Sequence, residues 1–374
     1  MHWRESATRT TYLPYVNPVE HLATLESPDP ATHATAMVGH HYIAEDHYVV
    51  GREKIREYAK AVQDYHPAHH DEKDEFASGS GGLLAPLTFV SPMTMHAQRK
   101  LLEQIAIGYD LSQMIQTDQI MRFHRPIVAG DRLSCEVALD SFRQVRGRDM
   151  MVLVTRVSNQ RDELVHTAYG TLFLGYRDDT ADTLADTARR LVAHDMSSMV
   201  PERTHGTGPT TPVRTPQPGR DGLMTVESPA PRGRRIGEVS VGEELPQRSV
   251  RLSRGDLVNY AGVSGDGNPI HWSDEFAVLV GLDTVVAHGV LTMGIAAGHI
   301  TSWLRDPSAV QEYSVRFANP VYVEQLRGAT IALAGTVKSL DPDTGTAVIA
   351  MNATSGGRRI FGHRTAMKVR LAQD

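Results

Sequence analysis

The sequence predicts an α+β protein built from two related modules, each a curved antiparallel sheet wrapped around one long buried helix. Three observations predict this architecture: an internal repeat, a helical segment that is apolar nearly all round, and four strand-like stretches after it. The chain has 374 residues, of which 41% are hydrophobic. That length and composition accommodate two cores of ordinary domain size.

The repeat relates YAKAVQDYHPAH at 58–69 to YAGVSGDGNPIH at 260–271. Matching residues keep one spacing of 202 positions: Tyr58 and Tyr260, Asp64 and Asp266, Pro67 and Pro269, His69 and His271, Gly79 and Gly281, Ala85 and Ala287. Further along, RFHRPIVAGD (122–131) pairs with RFANPVYVEQ (316–325) at a spacing of 194. Gap-free matches of this length indicate two copies of one module.

The residues outside the repeat divide the rest of the chain. Residues 1–36 are rich in Pro and Thr and predict an N-terminal arm, frayed or draped over the body. The modules are placed at 37–177 and 236–374. Residues 178–235 are expected to hold a short amphipathic helix at 180–196 and then a linker, because 201–235 contains seven Pro and five Gly.

The second module shows the predicted elements in order. A short strand (239–252) and a helix over Leu257–Val263 precede the loop, and a further short helix follows it. A helix at 288–304 is apolar nearly all round, which is typical of a helix buried on most sides. Four strand-like stretches end the module: VQEYSVRFANPV, ATIALAGTVKSL, TAVIAMNATSG and RIFGHRTAMKVRL. This arrangement is named the hotdog fold, and two copies, a double hotdog, can pair edge to edge into one sheet.

Charge and composition exclude several classes of function. The net charge is −6 and there is no long basic run, so nucleic acid is not an expected partner. Cys135 is the single cysteine, so no intrachain disulfide forms. The most apolar stretch, 276–300, is interrupted by polar residues, and the N-terminus has no apolar leader. We therefore expect a cytoplasmic protein with no membrane span.

The loop at 260–271 sets an Asp and a His five residues apart. Gly265, Gly267 and Pro269 prevent the preceding helix from continuing, so the chain must fold back tightly. Asp266 and His271 are then expected to face one small space. A carboxylate beside an imidazole can hold a water molecule and move protons in both directions near neutral pH. Adding or removing water across a carbon–carbon double bond needs this capacity.

The segment VVAHGVL at 285–291 supplies a site for the negative charge that develops on a carbonyl oxygen. If Gly289 opens the buried helix, its backbone N–H is a free donor at the positive end of the helix dipole. The absence of a side chain also lets a thioester approach closely. One such donor stabilises a transition state by roughly 3 kcal/mol. Asp266, His271 and Gly289 are therefore the predicted catalytic residues.

Three neighbours are predicted to position the substrate or a water molecule: Ser264, Asn268 and His288. Asn268 can also simply stabilise the loop, and Ser264 is expected to make a loop hydrogen bond rather than act as a nucleophile. The cluster HPAHHD at 66–71 occupies the altered copy of the loop, so no metal site is expected. The arginines at 232–235 and 358–359 are expected on the solvated surface; docking to CoA phosphates or a phosphopantetheine carrier is the functional alternative.

YAGVSGDGNPIH resembles the signature of the hydratase-2 (MaoC-like) family of (R)-specific enoyl-thioester hydratases. The longer run LVNYAGVSGDGNPIHWSDEFA, with GLDTVVAHGVLTMG, EYSVRF and TSGGRRIFG, resembles the catalytic HadB subunit of actinobacterial (3R)-hydroxyacyl-ACP dehydratases. MVGHHYIAED, VGREKIREYAKAVQDYHPAHHDE and GLLAPLTF resemble its HadA partner. The resemblance covers 37–177 and 236–374, so the chain resembles a fusion of the two subunits.

This resemblance implies a double hotdog in which Asp266 and His271 form the catalytic dyad and Gly289 is the oxyanion donor. It implies no metal or other cofactor. The implied substrate is a (3R)-hydroxyacyl chain on acyl carrier protein or CoA, dehydrated to the trans-2-enoyl thioester beside the other enzymes of type II fatty acid (mycolic-type) elongation. A homodimer is also implied. Some family members carry Ser eight residues after the oxyanion Gly, where this chain has Ala297.

The first module is expected to be non-catalytic and to line the acyl channel. The spacing of 202 places Pro86 and Leu87 where His288 and Gly289 stand, and Pro86 has no N–H to donate. Pro86 also suits the start of a helix. The predicted channel residues are Leu87, Phe89, Val90 and Met93.

Three alternatives stay open at this point. A hotdog acyl-thioesterase would hydrolyse the same kind of thioester, although such enzymes use a carboxylate on the helix, whereas Asp266 lies before it. An (R)-specific enoyl-CoA hydratase of a degradative pathway would run the same chemistry on another carrier. A non-catalytic acyl-binding protein would require both modules to have lost the dyad, and the second retains it.

Overall fold

A computed structural model of the chain describes residues 29–176 and 230–374. The predicted helix at 180–196, most of the linker and most of the N-terminal arm lie outside these residues. The first module contains, in order, α1 (Pro30–Ala36), β1 (His41–Ile43), β2 (Tyr48–Val49), α2 (Arg52–Ala61), α3 (Glu75–Ser80), α4 (Ser91–Ile105), β3 (Tyr109–Phe123), β4 (Arg132–Val145), β5 (Arg148–Ser158) and β6 (Leu164–Tyr176).

The second module repeats this order. It contains β7 (Arg248–Leu252), α5 (Arg254–Ser264), α6 (Asp274–Leu279), α7 (Gly289–Leu304), β8 (Val310–Arg316), β9 (Ala329–Asp341), β10 (Thr346–Ser355), β11 (Arg358–Arg359) and β12 (Ala366–Arg370). The predicted opening strand at 239–252 is shorter than expected, and the fourth predicted stretch divides into β11 and β12. The division follows the turn at 361–365, where Gly362 N–H donates to the Arg316 carbonyl instead of continuing the ladder.

The two modules share one 12-stranded sheet with the order β1-β4-β5-β6-β3-β8-β12-β10-β9-β7, while β2 pairs with β4 and β11 with β10. At the junction β3 and β8 run antiparallel, with Ile120 opposite Ser314. The pairing satisfies the backbone groups of two strands that would otherwise be sheet edges. The predicted double hotdog, with its modules joined edge to edge, is confirmed.

Helix α7 is the buried centre of the second module. Twelve of its residues are buried, as its apolar sequence predicts. Two glycines bring the helix against the first module: a Cβ on Gly294 would lie 2.7 Å from Val62, and a Cβ on Gly298 would lie 3.0 Å from the Asp64 carboxyl carbon. Small residues on α7 therefore allow the close approach of the two modules. Among the described residues, no helix is both long and apolar enough to cross a membrane.

The end of the predicted arm is draped over the body rather than frayed. Residues 30–36 form α1, Asp29 caps this helix, and His33 Nε2 lies 3.0 Å from the Gln104 carbonyl. Helix α4 starts at Ser91, not at Pro86, because residues 87–90 form a turn.

The end of the predicted linker is packed against the second module. A Cβ on Gly233 would lie 2.2 Å from the Leu304 carbonyl, and Arg232 N–H donates to Asp306 at 2.9 Å. Arg234 is not a solvated surface arginine: it pairs with Glu243 at 2.7 Å, and its guanidinium lies 4.4 Å from the centre of the Trp303 ring. These contacts hold the chain in place before β7.

Candidate active site

The loop after α5 is shaped by residues that stop one helix and start a short turn. Gly265 ends α5 with φ 76°, a left-handed conformation that glycine adopts without strain. Asn268 then caps the 3₁₀ turn Pro269–His271, its side-chain oxygen accepting from Ile270 N–H at 3.2 Å. The chain folds back as predicted and brings Asp266 and His271 together.

The dyad is held in one orientation by the backbone. His271 Nδ1 lies 2.7 Å from the Val286 carbonyl, which can only accept, so the ring proton is on Nδ1. The other nitrogen, Nε2, then carries the lone pair and lies 4.0 Å from Asp266 Oδ2. Burial lowers the pKa of His271, although the Asp266 charge and the Val286 hydrogen bond oppose the shift. A neutral imidazole with its basic nitrogen facing a carboxylate is therefore present at neutral pH.

His288 braces this loop from the start of α7. Its Nε2 lies 3.1 Å from the Asp266 carbonyl, and its ring stacks on His271 with the ring centres 3.7 Å apart. Burial and the neighbouring His271 lower the pKa of His288 to about 2, so the ring stays neutral. Since His288 immediately precedes Gly289, the dyad and the first turn of α7 border the same space.

Gly289 is the first residue of α7, as predicted. An N–H in the first turn of a helix has no acceptor within the helix. A Cβ at this position would lie 3.1 Å and 3.2 Å from two carbons of the Phe317 ring. The close approach of Phe317 explains why a residue without a side chain stands here.

The predicted positioning residues lie in the loop itself. Ser264 is buried, and its hydroxyl accepts from Asp266 N–H at 3.2 Å, a loop hydrogen bond. The Asn268 N–H donates to Asp266 Oδ1 at 3.3 Å, which orients the carboxylate. Sequence reasoning missed Trp272, whose indole N–H donates to the Gly267 carbonyl at 3.0 Å and closes the loop. No motif distinguishes this tryptophan from a core residue.

The first module contains the same pair in a closed state. His69 Nδ1 lies 2.7 Å from the Leu84 carbonyl, and its Nε2 lies 3.3 Å from Asp64 Oδ2. The exposed fractions of the His69 and Asp64 side chains are 1% and 3%, against 9% and 20% for His271 and Asp266. The first pair is thus an ion pair sealed from solvent, whereas the second is accessible.

The titration of the first pair agrees with this difference. Burial raises the pKa of Asp64, but the His69 charge and hydrogen bonds outweigh it and leave the pKa below its usual value. Burial lowers the pKa of His69, and Asp64 outweighs it in the opposite direction. Each group thus favours the charged form of the other, as in a structural ion pair.

The four predicted channel residues have different surroundings. Phe89 and Val90 are buried in the core, and Met93 is partly buried against it. Leu87 lines a pocket at the junction of the modules, which is open to solvent and is formed by Leu84, Ala85, Pro86, Leu87, Phe123, Arg125, Pro126, Ile127, Val165, His166, Pro307, Ser308 and Val310. A role for these residues in an acyl channel stays a prediction.

Within residues 29–176 and 230–374, one set of metal-ligating side chains converges. Donor atoms of Asp266, His271 and His288 lie within 4.8 Å of one another. Nδ1 of His271 and Nε2 of His288 are already bound to carbonyl groups, so each histidine offers its other nitrogen. The donor set suits a divalent cation of the zinc type as well as a water molecule.

Family models match both modules. The model described as "FAS1-like, dehydratase domain region" matches residues 36–168, and that of the MaoC like domain matches residues 238–353. A UPF0336 protein of Mycobacterium tuberculosis is 43% identical over 136 residues, which are 36% of this chain and 86% of that protein.

Solved structures extend the similarity to both modules together. A structure described as a MaoC-like dehydratase is 41% identical, covers 91% of this chain and 100% of its own, and superimposes with a TM-score of 0.80. A conserved hypothetical protein from Mycobacterium tuberculosis with a double hotdog fold is 15% identical, covers 89% and 96% of the two chains and has a TM-score of 0.56. The latter similarity concerns the fold alone.

Proposed function

Because this chain belongs to the MaoC-like dehydratase family, we propose that it is a (3R)-hydroxyacyl-thioester dehydratase, which in reverse is an (R)-specific enoyl-thioester hydratase. The accessible dyad of Asp266 and His271 beside the N-terminus of α7 is the observation that carries the proposal. The proposed catalytic module is 236–374, and 37–177 is the non-catalytic partner.

The state of His271 supports a one-base mechanism. In dehydration, neutral Nε2 takes the proton from C2 of the (3R)-hydroxyacyl thioester, and the C3 hydroxyl leaves with that proton as water. Asp266 orients the hydroxyl group and stabilises the imidazolium that forms between the two steps. The dyad ends in the protonation state in which it began. Hydration is the same sequence in reverse, with water added to one face.

The start of α7 supplies the second requirement. As the C2 proton leaves, negative charge accumulates on the thioester oxygen. In this scheme the Gly289 N–H donates a hydrogen bond to that oxygen. The helix dipole adds a partial positive charge at the same point. His288 is a positioning residue in this scheme, since it holds the Asp266 carbonyl and stacks on His271.

The closed pair in the first module supports a single active site per chain. Leu87 occupies the position of Gly289, and the Asp64–His69 ion pair is sealed. We propose that the first module instead receives the acyl chain, with Leu87, Phe89, Val90 and Met93 near it. The proposed substrates are long acyl chains on acyl carrier protein, within type II fatty acid (mycolic-type) elongation in the cytoplasm, by a homodimer.

The proposal is tested by hydration of a trans-2-enoyl-CoA series, followed by the loss of enoyl absorbance, with chiral analysis of the product. We expect the (R)-3-hydroxy isomer, because one dyad adds water to one face. Release of free CoA faster than hydration would instead support the thioesterase, and the (S) isomer would reject the family mechanism. Light scattering tests the homodimer, and a Leu87→Trp variant is expected to shift the preferred chain length.

A further inference from the structure

A group of exposed arginines lies at one end of the second module. Arg358 and Arg359 form β11, and Arg316 ends β8; with Arg364 they surround the turn at 361–365. We call these four residues the arginine rim. Among the described residues none of the four forms an ion pair within 4.0 Å, although Asp118 stands opposite Arg316 across the β3–β8 junction. In a chain of net charge −6 these four exposed arginines form a local region of positive potential, and such a region attracts anions.

Two phenylalanines link the arginine rim to the start of α7. Phe317 follows Arg316 and its ring approaches Gly289, while Phe317 and Phe361 pack edge to face with ring centres 6.2 Å apart. Asn319 donates a hydrogen bond to the Arg359 carbonyl at 2.7 Å, which fixes β11 beside the same strand. Thus Phe317, the residue after Arg316, contacts both Phe361 and the start of α7.

The repeat provides an internal comparison. The Val165 carbonyl accepts from His124 N–H at 3.0 Å, as the Ile360 carbonyl accepts from Ala318 N–H at 3.0 Å. This correspondence places Glu163 of the first module where Arg358 stands in the second.

The two turns therefore differ in charge. Glu163 binds Arg125 at 2.8 Å and Arg161 at 2.9 Å, so the turn of the non-catalytic module neutralises its own arginines. At the equivalent place the catalytic module has Arg358 in place of the acid, and its positive charge stays available. The turn with available positive charge and the accessible dyad thus lie in the same module.

We propose that the arginine rim binds the phosphate of a phosphopantetheine arm while the thioester lies at Gly289. Guanidinium groups match phosphate oxygens in pairs of charge-assisted hydrogen bonds, and a phosphate is common to CoA and to an acyl carrier protein. The inference rests on the proposed function, because a phosphopantetheine thioester is the substrate of that reaction. It adds the residues that recognise the carrier end of the substrate.

The test uses the double variant Arg358→Ala/Arg359→Ala and two substrates that share one acyl chain. One is trans-2-enoyl-CoA and the other is the uncharged trans-2-enoyl-pantetheine thioester. At low salt we expect kcat/KM for the CoA thioester to fall about tenfold or more, since charge-assisted hydrogen bonds are lost. The value for the pantetheine thioester is expected to stay unchanged. The matched control is Arg143→Ala/Arg148→Ala, which removes two exposed arginines from the first module.

Equal losses on both thioesters, or an equal loss in the control variant, overturn the proposal. The comparison is then repeated with the same enoyl chain on acyl carrier protein. The carrier whose kcat/KM falls in the rim variant is the source of the phosphate, and a loss with either carrier supports the proposal. Calorimetric binding of unacylated CoA to the wild type and the rim variant separates the two proposals. Binding lost in the variant supports the rim even if the wild type hydrates no thioester, and unchanged binding contradicts it.

Discussion

The hydroxyl groups of Tyr58 and Tyr260 lie 3.4 Å apart, although 202 residues separate them in the chain. Each is the counterpart of the other in the repeat, and both are fully buried. A residue that meets its own counterpart lies on a local twofold axis, so the modules associate as the two halves of an isologous dimer do. Tyr260 also packs on His288, with ring centres 4.8 Å apart, and thereby connects this axis to the dyad.

Removal of either dyad member is expected to abolish hydration without unfolding the protein. Asp266→Asn and His271→Ala should each lower kcat by about 10²–10⁴-fold, because a positioned acid–base group contributes that much. His271 is neutral and the Asp266 side chain is 20% exposed, so neither replacement leaves a buried charge unpaired. Enoyl absorbance measures turnover and circular dichroism measures folding; near-wild-type turnover in either folded variant contradicts the assignment.

The counterpart variant in the first module should behave in the opposite way. Asp64→Asn breaks a buried ion pair, which typically destabilises a protein by about 3–5 kcal/mol. Thermal unfolding should therefore shift downwards, while the rate per folded molecule on a short-chain enoyl thioester stays the same. A large loss of rate, with the protein folded and Asp266 intact, would show that two active sites operate.

A side chain at position 289 is expected to impair catalysis directly. Gly289→Ala places a methyl group 3.1 Å from the Phe317 ring and beside the oxyanion donor, and we expect kcat/KM to fall by about 10²-fold. The double variant Gly289→Ala/Phe317→Leu removes the crowding but not the methyl group. Recovery of activity in the double variant would mean that Gly289 serves only packing; Val290→Ala is the neighbouring control.

His166 is expected to make the fold sensitive to acid. Burial lowers its pKa to about 3, from 6.5 for an exposed histidine, and the residue is 1% exposed. Below pH 6.5 the unfolded chain binds this proton and the folded chain does not, so stability falls as the pH falls from 6.5 towards 3. The loss approaches about 1.4 kcal/mol per pH unit.

The second module has Phe361 at the equivalent position, so His166→Phe is a conservative replacement in this fold. We expect the melting temperature of this variant to fall less steeply with decreasing pH than that of the wild type. The difference between the two proteins should be smaller near pH 8 than in acid. Parallel pH profiles for the two proteins would contradict the prediction.

Chelation is expected to leave the reaction unaffected. Although Asp266, His271 and His288 converge within 4.8 Å, the proposed steps need only a base, a carboxylate and a backbone donor. Activity after dialysis against EDTA should equal that of untreated enzyme. A loss that added Zn²⁺ restores would place a metal ion in the mechanism.

Much of the site was predictable because its residues are local in sequence. The spacing of Asp266 and His271, the helix-stopping glycines and Pro269 predict a tight loop whatever surrounds it. The apolar segment after His288 likewise predicts a buried helix that starts near Gly289. The edge-to-edge sheet followed from the repeat, since two copies of one module with open edges can satisfy each other.

Other features depended on contacts between residues far apart in the chain. The start of α4 at Ser91 rather than Pro86, and the docking of residues 30–36, are decided by packing against neighbours that local propensity does not include. The same holds for the sealed state of the Asp64–His69 pair. The Asp and His of the motif are present in both modules. Only the tertiary structure distinguishes the two pairs, because it leaves the Asp266 side chain 20% exposed and the Asp64 side chain 3% exposed. The physical reason is that sequence spacing determines which groups meet, whereas accessibility to solvent and substrate is determined by everything that packs around them.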